Sequence, residues 1–125
     1  MAVRCAALLL WAALPAAATC PLAAPALQQG GVQASWKVDG PPIAVGRQFA
    51  LEVQVCPADA VVSRVDATMP EHRHGMNYRP SVHALGGGRW RAQGLLFHMS
   101  GVWELRLDVQ AGGVSERLRD AITLP

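Results

Sequence analysis

The sequence predicts an all-β protein, an Ig-like antiparallel β-sandwich of about seven strands, preceded by a cleavable secretory leader. Three observations carry that expectation. Apolar and polar residues alternate with a period of two in several short runs, Gly, Pro and Asp clusters separate those runs, and no segment holds a helical period. With 125 residues the chain has room for one such domain, expected at 27–125.

The leader is read over residues 1–26. Arg4 supplies a positive start, residues 6–14 with Leu8-Leu9-Leu10-Trp11 form an apolar stretch, and small residues follow. The stretch is too short and alanine-rich for a membrane span. Cleavage fits after Ala18, with Ala16, or after Ala26, with Ala24; the second is preferred. A lipid anchor at Cys20 is not expected, because Thr19 is a poor residue before a lipidated cysteine.

The strands follow in order. Val32, Ala34, Trp36 and Val38 share one face of a first strand, closed by Asp39-Gly40-Pro41-Pro42; residues 27–31 before it read as a flexible tail. Phe49, Leu51, Val53 and Val55 alternate in a second, which Pro57 ends. A third puts Val61, Ser63, Val65 and Ala67 inward and runs out at Met69-Pro70, where Pro70, Gly75 and Pro80 deny the chain regular ladder pairing. A strand resumes at 81–85, Gly86-Gly87-Gly88 turns, and a further strand from Arg89 delivers His98-Met99 to the turn at Ser100-Gly101. Trp103, Leu105, Leu107 and Val109 give the cleanest alternation, and 116–124 a last strand with Leu118, Ile122 and Leu124 on one face.

Charge excludes little but points away from nucleic acid. The formal +2 falls to +1 when Arg4 is removed, and the basic residues are dispersed, without a patch of interleaved aromatics. Cleavage after Ala26 leaves Cys56 as the lone cysteine, read as a buried free thiol; cleavage after Ala18 makes a Cys20–Cys56 bridge conceivable. No serine, cysteine or carboxylate pair stands in a recognisable catalytic setting, so no enzymatic activity is expected.

The chemistry concentrates in Met69-Pro70-Glu71-His72-Arg73-His74-Gly75-Met76, answered by His98-Met99. Apart from Met1, every methionine lies there, with three of the four histidines. Methionine ordinarily fills gaps in cores; its clustering beside imidazoles suggests a ligand set of Met69, His72, His74, Met76, His98 and Met99. In an extended loop His72, His74 and Met76 would share one side within about 14 Å, at roughly 3.4 Å per residue, with Gly75 turning the backbone. Mixed thioether and imidazole donors favour copper, Cu(I) ahead of Cu(II), over zinc. Met69 and Met99 can also be core residues, Trp90 can shield the site, Glu71 and Arg73 can pair, and His83 reads as a surface or packing histidine. A blue-copper set built on Cys56 is a minor alternative.

The chain resembles the YtkA/FixH-like group of small bacterial extracytoplasmic β-domains over residues 36–109. The resemblance rests on Asp66-Ala67-Thr68-Met69-Pro70-Glu71-His72, on His74-Gly75-Met76, on the Gly-rich hairpin, and on Phe97-His98-Met99-Ser100-Gly101-Val102-Trp103-Glu104-Leu105. It implies an Ig-like sandwich in the envelope, linked to copper handling and to haem-copper oxidase assembly. Residues and resemblance together set the expectation: a periplasmic or otherwise extracytoplasmic copper-binding protein, serving an envelope copper protein or an oxidase-assembly partner, with no membrane span in the mature chain. The alternative is an Ig-like accessory module of the envelope that binds no metal.

Overall fold

The computed structural model describes residues 20–125; the positive and apolar parts of the expected leader, and its Ala18 cleavage point, lie outside the described residues. Nine strands follow: β1 (Leu27–Gln29), β2 (Val32–Val38), β3 (Gln48–Cys56), β4 (Val61–Met69), β5 (His74–Gly75), β6 (Ser81–Gly86), β7 (Arg89–Leu96), β8 (Gly101–Ala111) and β9 (Val114–Leu124). They form two antiparallel sheets, β1-β2-β3-β7-β6 and β5-β4-β8-β9. The all-β sandwich is as the alternation predicts. Among the described residues no helix is long and apolar enough to cross a membrane.

The core lies between the sheets, where period-two strands turn one set of side chains inward. Leu51, Val53 and Val55 of β3 face Trp103, Leu105, Leu107 and Val109 of β8, all fully buried.

Two strands exceed the expected seven or so. β1 forms where a flexible tail was expected, because Leu27 packs on the core and the backbone of 27–29 pairs with β2. β5 forms inside the expected loop, because the chain doubles back and pairs Met69 with His74.

Two bulges shift side chains from the faces a strict alternation assigns. In β4 the register slips between Val62 and Arg64, so Val62, Val65, Ala67 and Met69 are buried while Val61 and Ser63 are exposed. A bulge inserts one residue and reverses the alternation beyond it. In β7 the pairing with β3 passes from Gln93 to Leu95 across Gly94, whose φ of 85° suits glycine. Ala92 faces inward before the bulge, Leu95 and Phe97 after it, and His98 is turned outward.

The antiparallel order sends connections to opposite ends. One end holds the turns at 30–31, 57–60, 87–88 and 112–113; the other holds 39–47, 70–73, 76–80 and 97–100. Cys56 closes β3 at the first end and is disulfide-bonded to Cys20. This corrects the reading of Cys56 as a free thiol: Gln33, its partner across the ladder, also accepts a hydrogen bond from the Leu22 N–H, so the residues after Cys20 are held alongside β2. It also removes the blue-copper alternative, since Cys56 stands at the end away from the histidines and its sulfur is already bonded.

Candidate metal centre

Met69 ends β4 and His74 begins β5, and the four residues between them make a tight hairpin instead of an extended loop. The His72 N–H donates to the Met69 carbonyl at 3.2 Å, Arg73 takes a left-handed φ of 53°, and the Met76 N–H returns to the Ala67 carbonyl at 3.3 Å. The turn is therefore made at Arg73, not at Gly75. Gly75 serves close approach: a Cβ there would lie 3.3 Å from the Ala67 carbonyl oxygen. The assumed sharing of one side by His72, His74 and Met76 fails at Arg73, leaving His72 exposed in the turn and His74 half-buried on the strand.

His98 arrives from the other sheet, through the connection after β7. Its ring centre lies 5.1 Å from that of His74, at an interplanar angle of 34°. His72 stands on the outer side of His74, at 5.8 Å. The three imidazoles form a row with His74 in the middle. Among the described residues no group of three or more His, Cys, Asp and Glu side chains is gathered as a metal cage.

Beneath this row is an aromatic floor. Trp103 is fully buried, stacks on Phe97 at 4.5 Å and 4°, and meets both His74 and His98 edge to face, at 6.0 and 5.4 Å. Its indole N–H donates to the Met99 carbonyl at 3.0 Å, which fixes the 97–100 turn. Phe49 packs edge-on against Phe97 at 4.9 Å. A buried ring wall of this kind limits the room in which the imidazoles can rotate.

The methionines divide. Met69 is a core residue at 1% exposure, its terminal methyl over Gly101, where a Cβ would come within 2.7 Å of it. Met76 and Met99 are half-buried at the core's margin. His83 is exposed on β6. Glu71 and Arg73 are exposed and make no ion pair with each other among the described residues. Trp90 does not shield the histidines, because it pairs with Val53 and Ala84 on the far side of the Gly94 bulge. Trp103 takes that place. The sequence carried its signal in the inward parity of 103, 105, 107 and 109, so close after His98-Met99.

The spacing of His74 and His98 can be tested against metal geometry. An imidazole nitrogen about 2.0–2.1 Å from a metal puts the ring centre about 3 Å away, so two rings at a tetrahedral angle stand about 5 Å apart. The observed 5.1 Å fits one ion between them. The His74 Nδ1 is 3.4 Å from the Gly75 carbonyl; with the proton on Nδ1, Nε2 is free to bind, the arrangement usual for ligating histidines. Two imidazoles leave a coordination shell incomplete; Met76 and Met99, half-buried at the core's margin, are the nearest thioethers in the chain, and thioethers select a soft ion.

No protein-family model, no curated protein and no solved structure matches the chain. What this end of the sandwich does must be read from its own donors and their surroundings.

Proposed function

We propose that the protein is an extracytoplasmic copper-binding protein that holds Cu(I) between His74 and His98, with Met76 and Met99 as the thioether donors and His72 at the rim. The observation that carries the reading is the approach of two imidazoles, one from β5 and one from the connection after β7, to 5.1 Å over a buried tryptophan; the half-buried Met76 and Met99 follow them in the chain. Met69 serves the core, and the protein binds without catalysing. The resemblance to the YtkA/FixH-like group points the same way, and the disulfide suits an oxidising compartment outside the cytoplasm.

Delivery to a partner is supported by charge. Arg47, Arg73 and Arg79 are exposed in the connections of the histidine end and belong to no ion pair among the described residues, against Glu71 alone. Residues 1–19 contain no carboxylate to pair with them. An acidic envelope copper protein or oxidase-assembly factor would be steered towards the exposed imidazoles.

The test is a Cu(I) competition titration against a chromogenic chelator, comparing wild type with His74→Ala/His98→Ala. One tightly held ion per chain, weakened roughly 100-fold or more by the double substitution, or about 2.7 kcal/mol, is the expected result. Equal affinities would sink the reading. The same three arginines also favour a second one, an accessory module docking an acidic protein without metal. In that case Arg47→Glu/Arg73→Glu/Arg79→Glu abolishes capture of the partner and the histidine substitutions do not.

A further inference from the structure

The residues after Cys20 are built into the domain. Cys20 and Cys56 are disulfide-bonded with their Cα atoms 5.8 Å apart, within the range such bonds require. The Leu22 N–H donates to Gln33 Oε1 at 2.9 Å. Pro25, Ala26 and Leu27 form one wall of a surface pocket whose other wall is Ala34, Ser35, Trp36 and Asp120. β1 then pairs Leu27, Gln28 and Gln29 with Ala34, Gln33 and Val32, and packs against β9 of the other sheet. It thereby covers the edge of β2, and an uncovered edge strand is an aggregation hazard. Cut after Ala26, this strand would begin at its own first residue, without the covalent anchor that a three-residue terminal strand needs to resist fraying.

We infer that processing removes residues 1–18, so that Thr19 is the mature N-terminus and Cys20 is kept as half of a structural disulfide, neither discarded nor lipid-modified. This rests on the export reading above. Both candidate cleavage points satisfy the small-x-small pattern, and only the one after Ala18 leaves the anchored segment whole. The signal peptidase hydrolyses the Ala18–Thr19 peptide bond, water supplying the carboxylate of Ala18 and the ammonium of Thr19. The two thiols then give up two electrons and two protons to a protein disulfide of the export compartment, which is reduced to a dithiol. A lipid thioether on Cys20 would occupy the sulfur that this bond uses.

The experiment is intact-mass analysis of the full chain expressed in a Gram-negative host, with and without reduction and thiol alkylation. The expected product spans residues 19–125, is lighter by two hydrogens than the dithiol, and takes two alkyl groups only after reduction. A product starting at Leu27 with one free thiol, or at Cys20 with an attached lipid, overturns the inference and leaves export standing. An uncleaved chain in the cytosol overturns export and the cleavage point together. The variant Cys20→Ser supplies a second readout: the same start at Thr19 with a melting temperature lower by roughly 10 °C or more. An unchanged melting temperature would refute the anchoring role.

Discussion

The two ends of the sandwich use their connections in opposite ways. At the disulfide end three of the four turns are two residues long and contain glycine, and Gly112-Gly113 has positive φ at both positions, the hairpin turn whose twist matches the strands. The unpaired charges there, Asp59 and Glu116, are acidic among the described residues. At the histidine end the connections run to between four and nine residues, and they carry His72, His98 and three unpaired arginines. One end fixes register and closes the fold with short turns; the other presents its histidines and arginines on longer connections, the kind of segment on which binding residues concentrate.

Methionine 69 gives the strongest way to sharpen that contrast, because it lies at the histidine end and yet belongs to the core. Met69→Ala should cost about 2–5 kcal/mol of stability by leaving a cavity, while Met69→Leu should cost less than about 1.5 kcal/mol. Chemical denaturation measures both. Copper affinity should survive Met69→Leu; its loss would return this sulfur to the ligand set and blur the division between core and site. Opening the disulfide comes next. It closes a loop of 36 residues' separation, for which the chain-entropy estimate is about 3–4 kcal/mol, and melts with and without reductant should show it. The proposed copper binding at the far end should be unchanged in the reduced protein, provided the measurement is made below its lowered melting temperature. A parallel fall in affinity would show that the two ends are coupled.

A smaller effect tests the glycine turns themselves. Gly88 is buried at φ 78°, its carbonyl accepts from the Val55 N–H at 2.8 Å, and a Cβ there would lie 2.9 Å from the Val55 carbonyl oxygen and 3.0 Å from the Ala58 Cα. The Gln54 Nε2, at 2.8 Å, can move with its side chain, but the two backbone atoms cannot swing aside. Gly88→Ala should therefore destabilise by about 1–3 kcal/mol, whereas Gly112→Ala, which meets only its φ of 56° and open space, should cost about 1 kcal/mol. Equal losses would mean that conformational strain, not crowding beside the disulfide, decides the cost at this end.

Most strands were legible because burial imposes a period of two; β8 shows it from Trp103 to Val109 without interruption, and β3 from Leu51 to Val55. The misread parts share a physical cause. A bulge changes no composition, so the slips at Val62–Arg64 and at Gly94 are invisible in the pattern, and with them the facing of Ser63 and the isolation of Trp90 from His98. β1 and β5 are three and two residues long, too short to display a period. The pairing of Cys20 could not be settled from spacing because it depended on where the leader ends. For the candidate site, the clustering of His and Met drew attention to the end of the sandwich where His72, His74 and His98 lie. It could not say that Arg73 would take the turn, which decides that His74 and His98 converge while His72 stands outside, nor that Trp103 would lie beneath them.

The smallest expected effect concerns the ion pairs on the outer face of the second sheet. Near the disulfide end, Arg117 donates to Asp108 through Nε at 2.7 Å and through its terminal nitrogen at 2.9 Å, directly across the β8–β9 ladder. That hydrogen bonding holds the Asp108 carboxyl below its ordinary value, with desolvation opposing it and the charge of Arg117 adding to it. A carboxylate whose folded value is depressed stabilises the fold above its unfolded value, and the contribution disappears as the pH falls through the folded one. The side chains are 43% and 22% exposed, so solvent screens the pair and its worth is under about 1 kcal/mol. Asp108→Asn should lower stability at neutral pH by that amount and flatten the acid limb of the stability curve. Once the pH falls below the folded value mutant and wild type should converge, and a difference that persists there would assign the effect to the shape of the side chain instead of its charge.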